Sequence, residues 1–172
     1  MDKIIVWSIM KILVFLAVIN DIQPAAAVPS DKINLFETLK EHDSLLFEVS
    51  FNKCNLEAIN EIIAEDLEFY HDQSGITQSK EAFMDVMQNG ICSPTNKTKS
   101  RRELVEGSLE VFPLYNNGEL YGALQNGEHR FFESYDGTKE TAGSIARFSH
   151  LWIQEDEKWT LKRVISYDHQ NK

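Results

Sequence analysis

An α+β domain with an antiparallel sheet is the fold class this sequence predicts, and two observations carry it. Helical periodicity is confined to the first half of the chain, and Arg101 to His169 reads as four consecutive strands. Helices followed by a run of strands specify segregated layers, not a doubly wound parallel sheet. Such a sheet buries one face, and only the leading helices can cover it. The 172 residues make one domain, and a 42% hydrophobic content supplies its core. A pocket between helices and sheet is the natural place for function.

Ser30 or Asp31 caps the first helix. Ile33, Phe36, Leu39, Leu46 and Val49 recur at helical spacing and carry it to about Phe51. Asn55 reads as a second cap, followed by the stripe Leu56, Ile59, Ile62 and Ile63. Leu67 to His71 alternates and suits a short strand, and Gly75 marks a turn. Ser79 opens a third helix, with Phe83, Met84 and Met87 inward and Gly90 as its stop. Strands follow over Arg102–Leu114, Leu120–Ser134, Gly143–Gln154 and Trp159–Asp168. Gly122 and Gly127 are candidate bends or bulges in the second of these.

The segment before Ser30 reads differently. Lys3 precedes an apolar run from Ile4 to Ile19, and Ala25 and Ala27 fit a small-x-small cleavage site. Residues 1–27 are expected to be a secretory signal peptide and residues 28–172 the mature domain, secreted or periplasmic. The run is short for a bilayer span, so no stable membrane insertion is expected after cleavage. In an oxidising compartment Cys54 and Cys92, each just past a predicted helix end, are expected to form a disulfide; two buried thiols are the alternative. Two cysteines alone do not make a metal site. Asn96-Lys97-Thr98 is a glycosylation sequon, relevant only in a eukaryotic secretory pathway.

Charge narrows the partners. The formal net charge is −10, and the only basic cluster is Lys97, Lys99, Arg101 and Arg102. Nucleic acid and anionic membranes are poor partners for such a surface. The sequence holds no G-x-S-x-G, P-loop or G-x-G-x-x-G, and no H-x-x-x-H spacing. Neither a cofactor nor a metal is called for.

The hairpin at Glu155–Lys158 sets the faces of the last two strands. Pairing Gln154 with Trp159 puts Trp152 opposite Leu161 and His150 opposite Arg163. One face then holds Ala146, Phe148, His150, Trp152, Trp159, Leu161, Arg163, Ile165 and Tyr167, and its aromatic content makes it the core face. His150 and Arg163, side by side there, would want a carboxylate or an anionic ligand. Histidine also works as an acid or base near neutral pH. The bland reading is a histidine on a backbone carbonyl and an arginine in a rim salt bridge. Tyr70-His71-Asp72 ends the short strand, where neighbours point to opposite faces. His129 lies mid-strand and points either inward or out. Ser166-Tyr167-Asp168-His169 is the last polar cluster, with Asp168 a pocket carboxylate if the register shifts. Either Arg102 or Glu103 turns inward.

The stretches Asn55–Ile59 through Phe69–Asp72, Phe148–Ile153 and Lys158–Val164 together resemble the nuclear transport factor 2-like superfamily, which includes ketosteroid isomerases and SnoaL-type cyclases. The resemblance spans about Phe36 to His169 and is closest to the DUF4440-type branch. It implies a cone, in the order ααβαββββ, with a curved antiparallel sheet wrapped on N-terminal helices and a cavity at the open end. It also implies dimerisation through the outer sheet face. Family enzymes often use an aspartate base, and here Asp72 and Asp168 fall off the predicted core face. One fold hosts many functions, so three readings stand. The first is an exported binding protein for a small, partly apolar ligand, with an anionic group as an option. Its contacts would be Arg163, Trp152, Phe148, Tyr167, Tyr70, Arg102 and His129. The second is an acid–base isomerase, cyclase or dehydratase with His150 or His71 as base and Tyr70 or Asp168 assisting. The third is a non-catalytic dimeric module.

Overall fold

The computed structural model describes residues 30–170, so the expected signal segment lies outside the described residues. Helix α1 (Ser30–Ser44) continues as a wider π-helical stretch over Leu45–Phe51, ending where the periodicity ends. The second expected helix shrinks to one 3-10 turn, Leu56–Ile59. Asn55 makes no side-chain cap there, and Ile63 with Ala64 is already drawn into strand β1 (Ile63–His71). Strand β2 (Gly75–Gln78), which the sequence did not signal, closes a hairpin on β1. Helix α2 (Lys80–Asp85) is capped by Ser79 Oγ, which accepts the Ala82 N–H, and continues to Ile91. Among the described residues no helix is long and apolar enough to cross a membrane.

The remaining strands are β3 (Thr98–Leu104), β4 (Glu110–Asn116), β5 (Glu119–Tyr135), β6 (Thr141–Glu155) and β7 (Lys158–Gln170). The first long strand expected from the sequence is thus two. The chain turns at Gly107, where φ is +76°, and β3 and β4 each pair with a different half of β5. One unclosed seven-stranded sheet results, in the order β2-β1-β7-β6-β5-β3, with β4 also on β5. It is mixed, because β1 runs parallel to β7. The long excursion between those two strands is what a parallel pairing requires.

Helices and the concave sheet face share a core of Leu35, Leu39, Leu46, Ile59, Ile63, Leu67, Trp152, Trp159, Leu161 and Val164. Cys54 and Cys92 are bridged, with Cα atoms 5.5 Å apart, tying the end of the first helical run to the end of the second. Gly127 is no bulge. A Cβ there would meet the Phe148 ring at 2.7 Å, so the glycine lets that ring lie flat against β5.

Two bulges correct the expected faces of β7. The hairpin register holds as far as Trp152 opposite Leu161, but Leu151 then pairs with Arg163 and His150 with Val164. One extra residue on β7 flips everything after it. Val164 and Ser166 turn into the core, while Ile165 and Tyr167 are exposed. Arg163 is carried to the other face, where its Nε lies 2.7 Å from Glu68 Oε2. A second slip falls between the Arg147–Tyr167 and Ile145–Gln170 pairs, with Asp168 at φ +59°. It turns His169 inward and leaves Asp168 exposed.

Candidate active site

Between the helical layer and the concave sheet lies a cavity of about 370 Å³. Its wall is mostly apolar, with Phe47, Phe51, Phe69, Phe83, Phe131 and Phe148 among its rings. Four of the five histidines reach it: His71, His129, His150 and His169. Alternation along β5 brings in His129, β6 brings His150, and the second slip in β7 turns His169 in beside His71 at the end of β1.

At one end, Asp72 and His169 form a hydrogen-bonded dyad. His169 Nδ1 lies 2.6 Å from Asp72 Oδ1, and the His169 backbone N–H donates to Asp72 Oδ2 at 3.1 Å. Burial opposes the charge on Asp72, but these bonds hold its carboxyl below the ordinary value. The carboxylate fixes the proton on His169 Nδ1 and leaves Nε2 with its lone pair free. The His71 ring stacks on His169 with centroids 4.4 Å apart. His71 Nδ1 accepts the N–H groups of Gln73 and Ser74, so its proton sits on Nε2. Its 3.4 Å approach to Asp72 Oδ1 is therefore a contact between two acceptors, not an ion pair. Burial and the neighbouring His169 hold His71 below its ordinary value.

His71, Asp72 and His169 offer ligand atoms all within 4.8 Å of one another, the one set among the described residues spaced to hold a cation. The Nδ1 atoms of both rings and the carboxylate are already joined to protein donors or acceptors.

The floor holds a second network. Gln125 Nε2 donates to Leu39 O, which turns Gln125 Oε1 toward Trp152 Nε1 at 2.8 Å and His150 Nδ1 at 3.2 Å. Behind it, Arg102 forms a bidentate pair with Asp43 at 2.6 and 2.8 Å. The guanidinium also lies 3.8 Å from the Phe47 ring centroid and points Nε at His129 Nδ1, 3.5 Å away. Burial pushes the Asp43 carboxyl up and the guanidinium draws it back. Both its oxygens accept N–H bonds, the arrangement of an ionised carboxylate. Burial, with the nearby Arg102 charge, lowers His129 to about 2 and His150 to about 3, so both are neutral.

Of the residues singled out from sequence, His71, His129, His150 and Phe148 line the cavity. Trp152 is fully buried beneath the floor and supports it through Gln125. Arg102 is inward but sealed behind the wall, neutralised by Asp43. Four placements are corrected. Arg163 and Tyr167 lie outside because of the first bulge. Tyr70 alternates outward on β1, its hydroxyl donating to Glu68. Asp168 faces Arg147 across the outer surface at 3.7 Å. His169 occupies the position sought for Asp168. Gln125, Asp43 and the Asp72–His169 link had no local signal, because each depends on a partner distant in sequence.

No family model and no curated protein matches the sequence. Solved structures do match in shape. The chain is similar to a nuclear transport factor 2-like superfamily protein from Salmonella enterica serovar Typhimurium LT2, at TM-score 0.57 and 14% identity over 82% of this chain and 92% of that one. It is similar to the association domain of CaMKII from C. elegans, at TM-score 0.60 and 11% identity over 81% and 98%. It is also similar to hexachlorocyclohexane dehydrochlorinase LinA-type3 from Novosphingobium barchaimii LL02, at TM-score 0.57 and 11% identity over 81% and 90%. The chain has the nuclear transport factor 2-like fold.

Proposed function

We propose that this chain binds a small, largely apolar molecule in its cone cavity and moves a proton on it, with His169 as general base. The hydrogen bond from Asp72, on the exposed side, to His169, which lines the apolar cavity, is the observation that carries this reading. Asp72 holds the imidazole in the tautomer with a bare Nε2 and stabilises the imidazolium formed when that nitrogen takes a proton. The stacked His71 presents its Nε2–H as a donor to charge developing on the ligand. The apolar wall limits water and strengthens both interactions. The similarity in fold to a dehydrochlorinase, an eliminating enzyme by name, agrees with base chemistry on an apolar substrate.

The test uses 5-nitrobenzisoxazole, a flat apolar carbon acid. A base removes its ring C–H proton, the N–O bond breaks, and a coloured cyanophenolate leaves. His169→Ala is expected to lose the protein's acceleration by about 10²-fold or more, the usual worth of a positioned base. Asp72→Asn should lose much of it, and Tyr167→Ala, on the outer face, should lose none. A His169→Ala variant as fast as the unaltered protein contradicts the assignment. A pure binding protein would hold the probe without opening it.

We also propose that the chain is exported, which the Cys54–Cys92 bridge supports, and that it is cleaved before Val28. Exposed Tyr70, Leu124 and Ile165 support pairing of two copies through the outer face. The intact mass and sedimentation of the protein from its own host read both.

A further inference from the structure

The hydrogen-bond character of His150 is set by neighbours that have no alternative. Gln125 spends its NH2 on Leu39 O in helix α1, and Trp152 Nε1 can only donate to the oxygen that remains. That oxygen lies 3.2 Å from His150 Nδ1 and cannot donate, so Nδ1 carries the proton of the ring. Burial lowers His150 to about 3, so at neutral pH the ring is uncharged and Nε2 keeps its lone pair. The ring plane is held as well, by Phe148 at 4.5 Å and by Phe47, nearly parallel at 6.2 Å. His150 is 1% exposed and lines the cavity. Its Nε2 meets no donor among the described residues. The neighbouring His129 Nε2 is sealed in the wall and out of a ligand's reach, whereas His150 Nε2 is not sealed. With Nδ1 turned to Gln125, Nε2 is the polar atom this ring offers to the cavity. An acceptor this deep without a donor is costly, and a donor on a ligand removes the cost.

We infer that His150 is the specificity-determining residue of the cavity, its Nε2 accepting a hydrogen bond from one N–H or O–H on the inner end of a flat, otherwise apolar ligand. The inference rests on the cavity being the ligand site, as proposed above, but not on His169 acting as a base. Neutral heteroaromatic rings with an N–H, and phenols, make up the class. An ether, thioether or ketone in the same place sets one lone pair against another and leaves Nε2 unmet. A carboxylate would bring its charge against that lone pair, and the wall holds no lysine or arginine to offset it. The anionic option tied to Arg163 goes with that side chain to the outer face. Phe47 and Phe148, on either hand of the imidazole, supply apolar surfaces for a flat ring.

The test is calorimetric titration of the mature, oxidised protein at pH 7.5 with indole and with benzofuran, which has an oxygen where indole has its N–H. Indole is expected to bind about fivefold more tightly, the worth of one hydrogen bond. In His150→Phe the two should bind within about twofold of each other. A long-range proton–nitrogen spectrum of histidine-labelled protein is the second readout. Indole should move the His150 Nε2 resonance away from the position of a bare lone pair, and benzofuran should leave it there. Equal affinity for the two probes in the unaltered protein, an Nε2 resonance that ignores indole, or no binding of either overturns the inference, and none of these outcomes depends on a variant that folds. A preference for indole that survives in folded His150→Phe overturns it too. The benzisoxazole assay separates the two proposals. Ring opening by His169 without an indole preference sinks only the His150 assignment, and an indole preference without ring opening sinks only the base.

Discussion

Asp43→Ala isolates the buried ion pair that holds the cavity floor. Arg102 is 1% exposed and Asp43 3% exposed, and the carboxylate takes both terminal nitrogens of the guanidinium. Removing Asp43 strands a cation that cannot shed its proton. Breaking a buried pair from one side costs about 3–5 kcal/mol. The Phe47 face under the guanidinium persists and recovers part of this, which places the expected loss near 3 kcal/mol. Arg102→Met is the informative counterpart. The stranded Asp43 escapes by taking a proton, because burial already pushes its carboxyl up. A carboxyl raised in the folded state contributes stability that is present at low pH and lost as pH rises through its folded value. The deficit of Arg102→Met against the unaltered protein should therefore shrink from pH 7.5 toward pH 5, while that of Asp43→Ala should not. The double change Asp43→Leu with Arg102→Met should return to within about 2 kcal/mol, since well-packed apolar replacements of buried pairs are near neutral. The assay is urea unfolding, disulfide intact, followed by tryptophan fluorescence. A loss below about 1 kcal/mol for Asp43→Ala would mean that Arg102 finds water, and the sealed floor would be refuted.

Two further outcomes follow from the fold. Replacing both cysteines by serine opens a link across 38 residues and should cost roughly 4 kcal/mol by chain entropy, read as a lower urea midpoint. His129 and His150 sit at about 2 and about 3 in the folded chain. The unfolded chain takes up their protons first, so the stability they contribute is present above about pH 6.5 and falls below it, by roughly 2–3 kcal/mol per ring at pH 4.5. Urea midpoints across that range check this, and a flat profile contradicts neutral burial.

The architecture was legible because it follows from pattern. The order of helices and strands, the Gln154–Trp159 hairpin register and the paired cysteines could all be read from spacing and composition. The number of strands could not. Gly107 breaks one apparent strand into two, and β2 is too short and exposed to show alternation. The site was half legible. His150 sits where the alternation of β6 holds, so its inward placement is what period-two reading can reach, whereas the side of His129 was left open and is settled only by the pairing of β5. Arg163 and Tyr167 come after the first bulge in β7, and one uncounted residue moved both to the outer face. The exchange of Asp168 for His169 has the same cause. An aspartate tolerates the left-handed backbone at that slip, but nothing local says that the slip occurs. Asp72 meets His169 only because β1 and β7 lie parallel, a pairing between segments about 100 residues apart that no local pattern encodes.

The central claim is that Asp72 fixes His169 with its proton on Nδ1 and a free Nε2 facing the cavity. The most direct measurement is a long-range proton–nitrogen correlation spectrum of histidine-labelled protein at pH 7.5, with Asp72→Asn beside it. The account predicts His169 protonated on Nδ1, with a nitrogen shift at Nε2 typical of a bare lone pair, and loss of that preference in Asp72→Asn. A His169 ring protonated on Nε2, or one whose tautomer ignores the loss of the carboxylate, would contradict it.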